Sequence, residues 1–168
     1  MEEIAVTGMQ AREVEALISF IRSRNRLSYA EIDLLQKKRR PNYLEDSEAQ
    51  IASKLGGLLK RENPLWFLSG ASEEVREFLR HRDNDLAFQI ETVKGCFAAY
   101  FRDGEAPPPY YPYRIAVILR KAGLHSLERS FLEAWVSHFP GDGGGRNAVL
   151  QERLAKILMA HNKPSGSN

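Results

Sequence analysis

Prolines punctuate one stretch of this chain more heavily than any other. Pro107, Pro108 and Pro109 are followed by Pro112, and Pro140 closes the same stretch. Each proline fixes φ and removes a backbone donor, so no regular helix can run through the cluster. Segment 107–111 is therefore expected as an extended lead-in, and Pro112 suits a first helical turn, where its missing N–H costs nothing. Ile115, Ile118, Leu119 and Ala122 then recur at helical spacing, with Arg114, Arg120 and Lys121 on the other side. Gly123 supplies the left-handed residue that commonly ends a helix. Ser126 is placed to cap a second helix, with Glu128 in its first turn, where an acid favours the helix dipole. The stripe of that helix reads Leu127, Phe131, Ala134, Trp135 and His138. The spacing predicts helices over 112–122 and 126–139, antiparallel because their connection is short.

The remainder of the chain also reads as helices. Thr7 with Gln10, Ser28 with Glu31 and Ser47 with Gln50 each fit a capping box. Behind the first box, Val14, Leu17, Ile18 and Ile21 make a core stripe. Ile32 and Leu35 face inward behind the second, and Ile51, Leu55, Leu58 and Leu59 behind the third. Leu65, Trp66, Phe67 and Leu68 lie between breakers and are expected as a short segment plugging the core. Ser72 is expected to cap a helix with Val75, Phe78 and Leu79 inward. The longest stripe is Leu86, Ile90, Val93, Phe97, Tyr100 and Phe101, ending at Asp103–Gly104. A last helix starts near Asn147 and carries Leu150, Leu154, Ile157 and Leu158, before a polar tail over 163–168. The fold class is all-α, an irregular bundle of about eight helices. Its expected parts are an N-terminal bundle, 1–104, and a hairpin, closing helix and tail, 105–168, together one compact domain.

The stretch 112–140 resembles a single tetratricopeptide hairpin, a helical pair of about 34 residues. With Pro140 at the terminal proline of that motif, Ile115 and Ala116 fall on its Leu-Gly pair, Leu119 on its Tyr and Leu132 on its Phe. Pro112 stands at the Trp position, and Glu128 and Trp135 stand at the two small-residue positions. The resemblance covers one hairpin without a second copy at that period. It implies a protein-binding role and carries over no ligand residue.

Composition narrows the function classes. The 168 residues hold 24 basic and 22 acidic side chains, a balance that by itself does not call for a polyanionic partner. One cysteine, Cys96, rules out an internal disulfide framework and suits a reducing, cytoplasmic setting. The Met-Glu-Glu opening has no leader character, and no run approaches the roughly 20 apolar residues of a membrane span. His81, His125, His138 and His161 show no metal-ligand spacing, so no metal or cofactor is expected. Gly141 to Arg146 precedes a helix but lacks the Lys-Ser/Thr of a phosphate loop, and reads as a linker. No nucleophile elbow or metalloprotease helix occurs, so an enzyme is not expected.

Two groups of residues are candidate binding sites. Tyr110, Tyr111 and Tyr113 beside the prolines are candidates for contact with a protein partner. Arg22, Arg24, Arg26, Lys37, Lys38, Arg39, Arg40 and Lys54 form a basic cluster suited to phosphates or to an acidic protein face. A solvated cationic face is the ordinary alternative for such a run. The expected function is thus a non-enzymatic interaction module, adaptor or assembly subunit, with nucleic-acid binding through the cluster as the alternative. If the cluster contacts phosphates, replacing Lys37, Lys38, Arg39 and Arg40 by Gln flattens the slope of log affinity against log salt by up to about 3–4 units. An unchanged slope in filter-binding titrations would show that these four touch no phosphate.

Overall fold

A computed structural model gives the fold and describes residues 5–40, 44–59, 73–140 and 147–161. Those residues form eight helices and no strand: α1 Gly8–Arg22, α2 Tyr29–Arg39, α3 Glu48–Leu59, α4 Glu73–Arg82, α5 Leu86–Asp103, α6 Tyr110–Lys121, α7 His125–His138 and α8 Ala148–His161. All three capping boxes form. The Thr7 and Ser28 hydroxyls accept from the N–H groups of Gln10 and Glu31, whose side chains return to the cap N–H, and Ser47 and Gln50 do the same. An unforeseen cap precedes α5, where Asp85 Oδ1 accepts from the Phe88 N–H at 3.0 Å.

The helices divide into two units, each discontinuous in sequence. The first comprises Met1–Arg26, Asn84–Ile90 and Pro108–Asn168; the second comprises Leu27–Asp83 and Glu91–Pro107. This division does not follow the expected seam at residue 104, since α1 groups with the C-terminal helices. The reason is non-local burial, because α7 packs against α1 as well as against α6 and α8.

The first unit is built around α7. Phe131, Leu132 and Trp135 have no exposed surface, and Val14, Leu17, Ile21, Ile115, Ile118, Leu119 and Leu150 from the surrounding helices are equally buried. Trp135 lies 4.7 Å from the Phe139 ring, and its Nε1 donates to Asn147 Oδ1 at 3.2 Å, so the indole is both packed and hydrogen-bonded. The stripe of α7 is rotated slightly from the expected one: Glu128 is buried, while Leu127 is only half-buried.

The α6–α7 connection is tighter than the sequence suggested. Gly123 adopts φ +73°, its N–H bonds to the Arg120 carbonyl at 3.1 Å, and the Leu124 N–H bonds to the Leu119 carbonyl at 2.9 Å. This is a Schellman closure, with glycine in the left-handed position. Leu124 then offers its own carbonyl to the Glu128 N–H at 2.9 Å, so the residue that finishes one helix opens the next. Ser126 therefore lies inside α7 and is not its cap. Packing across so short a turn makes the pair antiparallel. At the other end, α6 begins at Tyr110 rather than at Pro112, because Pro109 takes the cap position and its carbonyl accepts from the Tyr113 N–H.

In the second unit α2 buries no residue completely, and Ile32 and Leu35 are half-buried rather than enclosed. Its inward face grips the corner after α5 instead. Gly104 has φ +69°, and a Cβ there would lie 2.9 Å from the Ile32 carbonyl oxygen. Gln36 Nε2 donates to the Gly104 carbonyl at 3.0 Å, and Arg39 Nη1 meets Glu105 Oε2 at 2.9 Å. Phe78, expected in the core, is 38% exposed, with the Arg82 guanidinium 5.5 Å from its ring centroid. The charged side chains that dominate α4 leave too narrow an apolar stripe to bury it. Cys96 is buried as expected, and burial, reinforced by the Glu105 charge, pushes its thiol up to about 11. The segments at 41–43, 60–72, 141–146 and 162–168, with the expected plug at 65–68, the Ser72 cap, the glycine linker and the tail, lie outside the described residues.

His138 ties the end of α7 to the end of α1. A carbonyl only accepts, so Nε2 carries the proton and donates to the Ile21 carbonyl at 3.0 Å. Burial holds the ring below its ordinary value of 6.5; the Ile21 and Arg24 carbonyls oppose this, and the Arg26 charge adds to it. The unfolded chain thus takes up the proton first, and folding stability falls as pH drops below about 6.5. Thermal melts between about pH 7.5 and 5.5 are expected to show this loss, and His138→Gln, which keeps a donor, to flatten it. Parallel profiles for the two proteins would contradict the assignment.

Candidate functional site

A concave feature of the first unit is a groove of about 600 Å³ between α1 and the N-terminal half of α7. Ala11, Glu15, Ile18, Ser19 and Arg22 line it from α1; Gly123 to Leu127 and Ser130 line it from the turn and α7. The α1 residues follow the spacing of one helix face, adjacent to the buried stripe. Leu124 and Leu127 give the groove apolar surface over the buried Ile18, while Ala11, Ser19, Gly123, Ser126 and Ser130 are small enough to leave it open. Glu15, Arg22 and His125 are its titratable members, and all three are exposed. Among the described residues neither Glu15 nor Arg22 has a salt-bridge partner. Arg22 makes only a long contact, 3.5 Å, to the Ser130 carbonyl.

A charged network holds the α7 wall in place. Glu128, in the first turn of α7, has a side chain only 1% exposed. Arg153 of α8 reaches its Oε1 with Nη2 at 2.7 Å and Nε at 2.8 Å, and Nε of Arg120 from α6 lies 3.7 Å from Oε2. The Arg153 guanidinium also donates to the Ala116 carbonyl at 3.4 Å and stands 5.5 Å from the Tyr113 ring centroid. Arg120 Nη1 lies 3.2 Å from His125 Nδ1. One carboxylate thus joins α6, α7 and α8 directly behind the groove. Its signal was present in the sequence: positions 128, 131, 132 and 135 share one helix face, so a carboxylate sat among core residues.

The tyrosines divide by exposure. Tyr111 is 5% exposed and belongs to the core, Tyr113 is half-buried beside Arg153, and Tyr110 is 37% exposed with its ring edge-to-face on Tyr111. The basic cluster is distributed over both units. In the first, Arg22 lines the groove, and Arg26 is close enough to His138 to bias its protonation; Arg24 is exposed. In the second, Lys37 meets Asp33 at 2.7 Å, Arg39 meets Glu105 and Lys54 meets Asp46 at 2.6 Å. Lys38 and Arg40 are exposed at the end of α2. Glu105 is distant from Arg39 in sequence, and its pairing is not readable from local charge patterning.

No family model, curated protein or solved structure matches this chain.

Among the described residues no cluster of His, Cys, Asp or Glu is arranged to hold a metal ion, and no described helix is long and apolar enough to cross a membrane. The groove is a feature whose chemistry can be specified. Both walls are helices whose interior backbone groups are already paired, so it offers apolar surface and side-chain charge rather than a strand edge.

Loss of the network should be felt throughout the first unit. Removing one partner of a buried ion pair costs about 3–5 kcal/mol, and the partial exposure of Arg153 places Glu128→Ala near the lower figure. Paired Glu128→Leu and Arg153→Met replacements are expected to recover part of this, because no charge is then stranded. Urea unfolding of the parent and the two variants measures it; equal midpoints for parent and Glu128→Ala would refute the assignment.

Proposed function

We propose that this chain is a non-enzymatic helical interaction module, an adaptor or a subunit of a larger assembly, and that it docks protein through the groove between α1 and α7. The supporting observation is the groove itself: apolar surface with a charged rim, carried by a helix packed on three others. A rigid wall of that kind presents a binding face without the entropy cost of ordering a loop. The tetratricopeptide-like reading of α6 and α7 agrees with it, since Ile115, Ala116, Leu119 and Leu132, at four positions of that motif, are all buried. An occupant must satisfy its own backbone, so an amphipathic helix fits better than an extended peptide.

A photo-crosslinking residue at Ser126, inside the groove, tests the proposal against one at Glu152, exposed on α8. The Ser126 probe is expected to yield protease-sensitive, nuclease-resistant adducts in native extract, and the Glu152 probe none. Ser19→Trp, which fills the groove from an exposed position, should abolish them. Adducts that only nuclease removes, or no adduct at all, would sink the reading.

A further inference from the structure

We propose that the occupant of this groove is a second copy of the same chain, docked so that the two α1 helices run antiparallel and Glu15 of each copy pairs with Arg22 of the other. This rests on the docking function proposed for the groove and names the partner.

Seven residues along a helix return to within about 20° of the same direction and advance about 10 Å. Glu15 and Arg22 therefore stand on one face of α1, two turns apart, and both line the groove. They are the opposite charges of its α1 wall, and neither has a salt-bridge partner among the described residues. Had the groove only to remain solvated, no relation between them would be needed.

That arrangement is self-complementary. Residues 15 and 22 are equidistant from the step between Ile18 and Ser19. A two-fold axis crossing α1 there brings each Glu15 opposite the other copy's Arg22, forming two identical pairs at once. An isologous interface requires this property, since one patch must serve as both partners. The axis crosses beside exposed Ser19, with Ile18 buried beneath it, and Ala11 is also small, so the helices can approach closely. A foreign helix would need its own acid and base at the matching separation. The second copy already carries them, on a helix whose backbone is internally satisfied.

Sedimentation equilibrium of the full chain over a rising concentration series tests this. The parent is expected to move from 19.1 kDa toward twice that mass, and less readily at high salt, because exposed pairs are screened. Glu15→Arg and Arg22→Glu alone each turn both pairs into like-charge contacts and should weaken the dimer at least about tenfold, since such juxtaposition costs several kcal/mol. The double variant restores opposite charges and should dimerise as the parent does. An equimolar mixture of the two single variants should also pair. The arginine introduced at position 15 of one copy then faces the glutamate introduced at position 22 of the other, and the two unaltered side chains face each other. Misfolding of either single variant cannot imitate that recovery. Glu13→Arg, away from the groove face, should change nothing.

A parent that stays at 19.1 kDa throughout overturns the proposal, and so does a dimer indifferent to the reversals or not recovered by the mixture. The crosslinking experiment separates this failure from failure of docking itself. An adduct there with a different protein sustains docking while the monomer excludes self-association, and a missing adduct ends both.

Discussion

A single buried carboxylate organises the larger unit of this protein. Glu128 sits at the start of α7 without contact with solvent, and a charge in that position is tolerable only with opposite charge at hydrogen-bonding distance. Arg153 supplies it from α8, and Arg120 approaches from α6. The requirement constrains three helices at once, because each must bring a named atom to the same place. Apolar packing alone, being non-directional, would not impose that register. The network also stands behind one wall of the groove, so the charge that orders the core orders the candidate binding face.

The tight closure between α6 and α7 complements this. Gly123 in the left-handed region lets Leu124 serve both helices, which leaves α7 without a side-chain cap at its start. The first turn of α7 then lines the groove with small and apolar residues, whereas a capping side chain would have folded back over its end. His138 and Ile21 fix the far end of the α1–α7 contact, and the groove opens where Arg22 reaches toward Ser130. The shape of the site thus follows from local turn chemistry at one end and a buried hydrogen bond at the other.

The basic residues are distributed over both units, and three of them stand beside carboxylates. Lys37, Arg39 and Lys54 each face a carboxylate, and Arg22 belongs to the groove. Two of those carboxylates help to shape the second unit: Glu105 holds α2 at the corner after α5, and Asp46 draws in Lys54 of α3. Surface ion pairs of this kind contribute little stability individually.

Helical periodicity and capping chemistry made most of the elements legible. The three capping boxes, the α1 and α5 stripes, the end of α5 at Gly104 and the turn at Gly123 all depend on residues within a few positions of one another, and the chain alone specified them. The tertiary structure decided what depends on distant residues. It placed α1 with the C-terminal helices, turned the α7 face so that Glu128 entered the core, exposed Phe78, enclosed Tyr111 and paired Arg39 with Glu105. It alone formed the groove, since its two walls are separated by most of the chain. The physical reason is range. Caps and stripes are satisfied by neighbours along the chain, whereas burial of a charge and the opening between two helices depend on which surfaces meet after the chain has closed on itself.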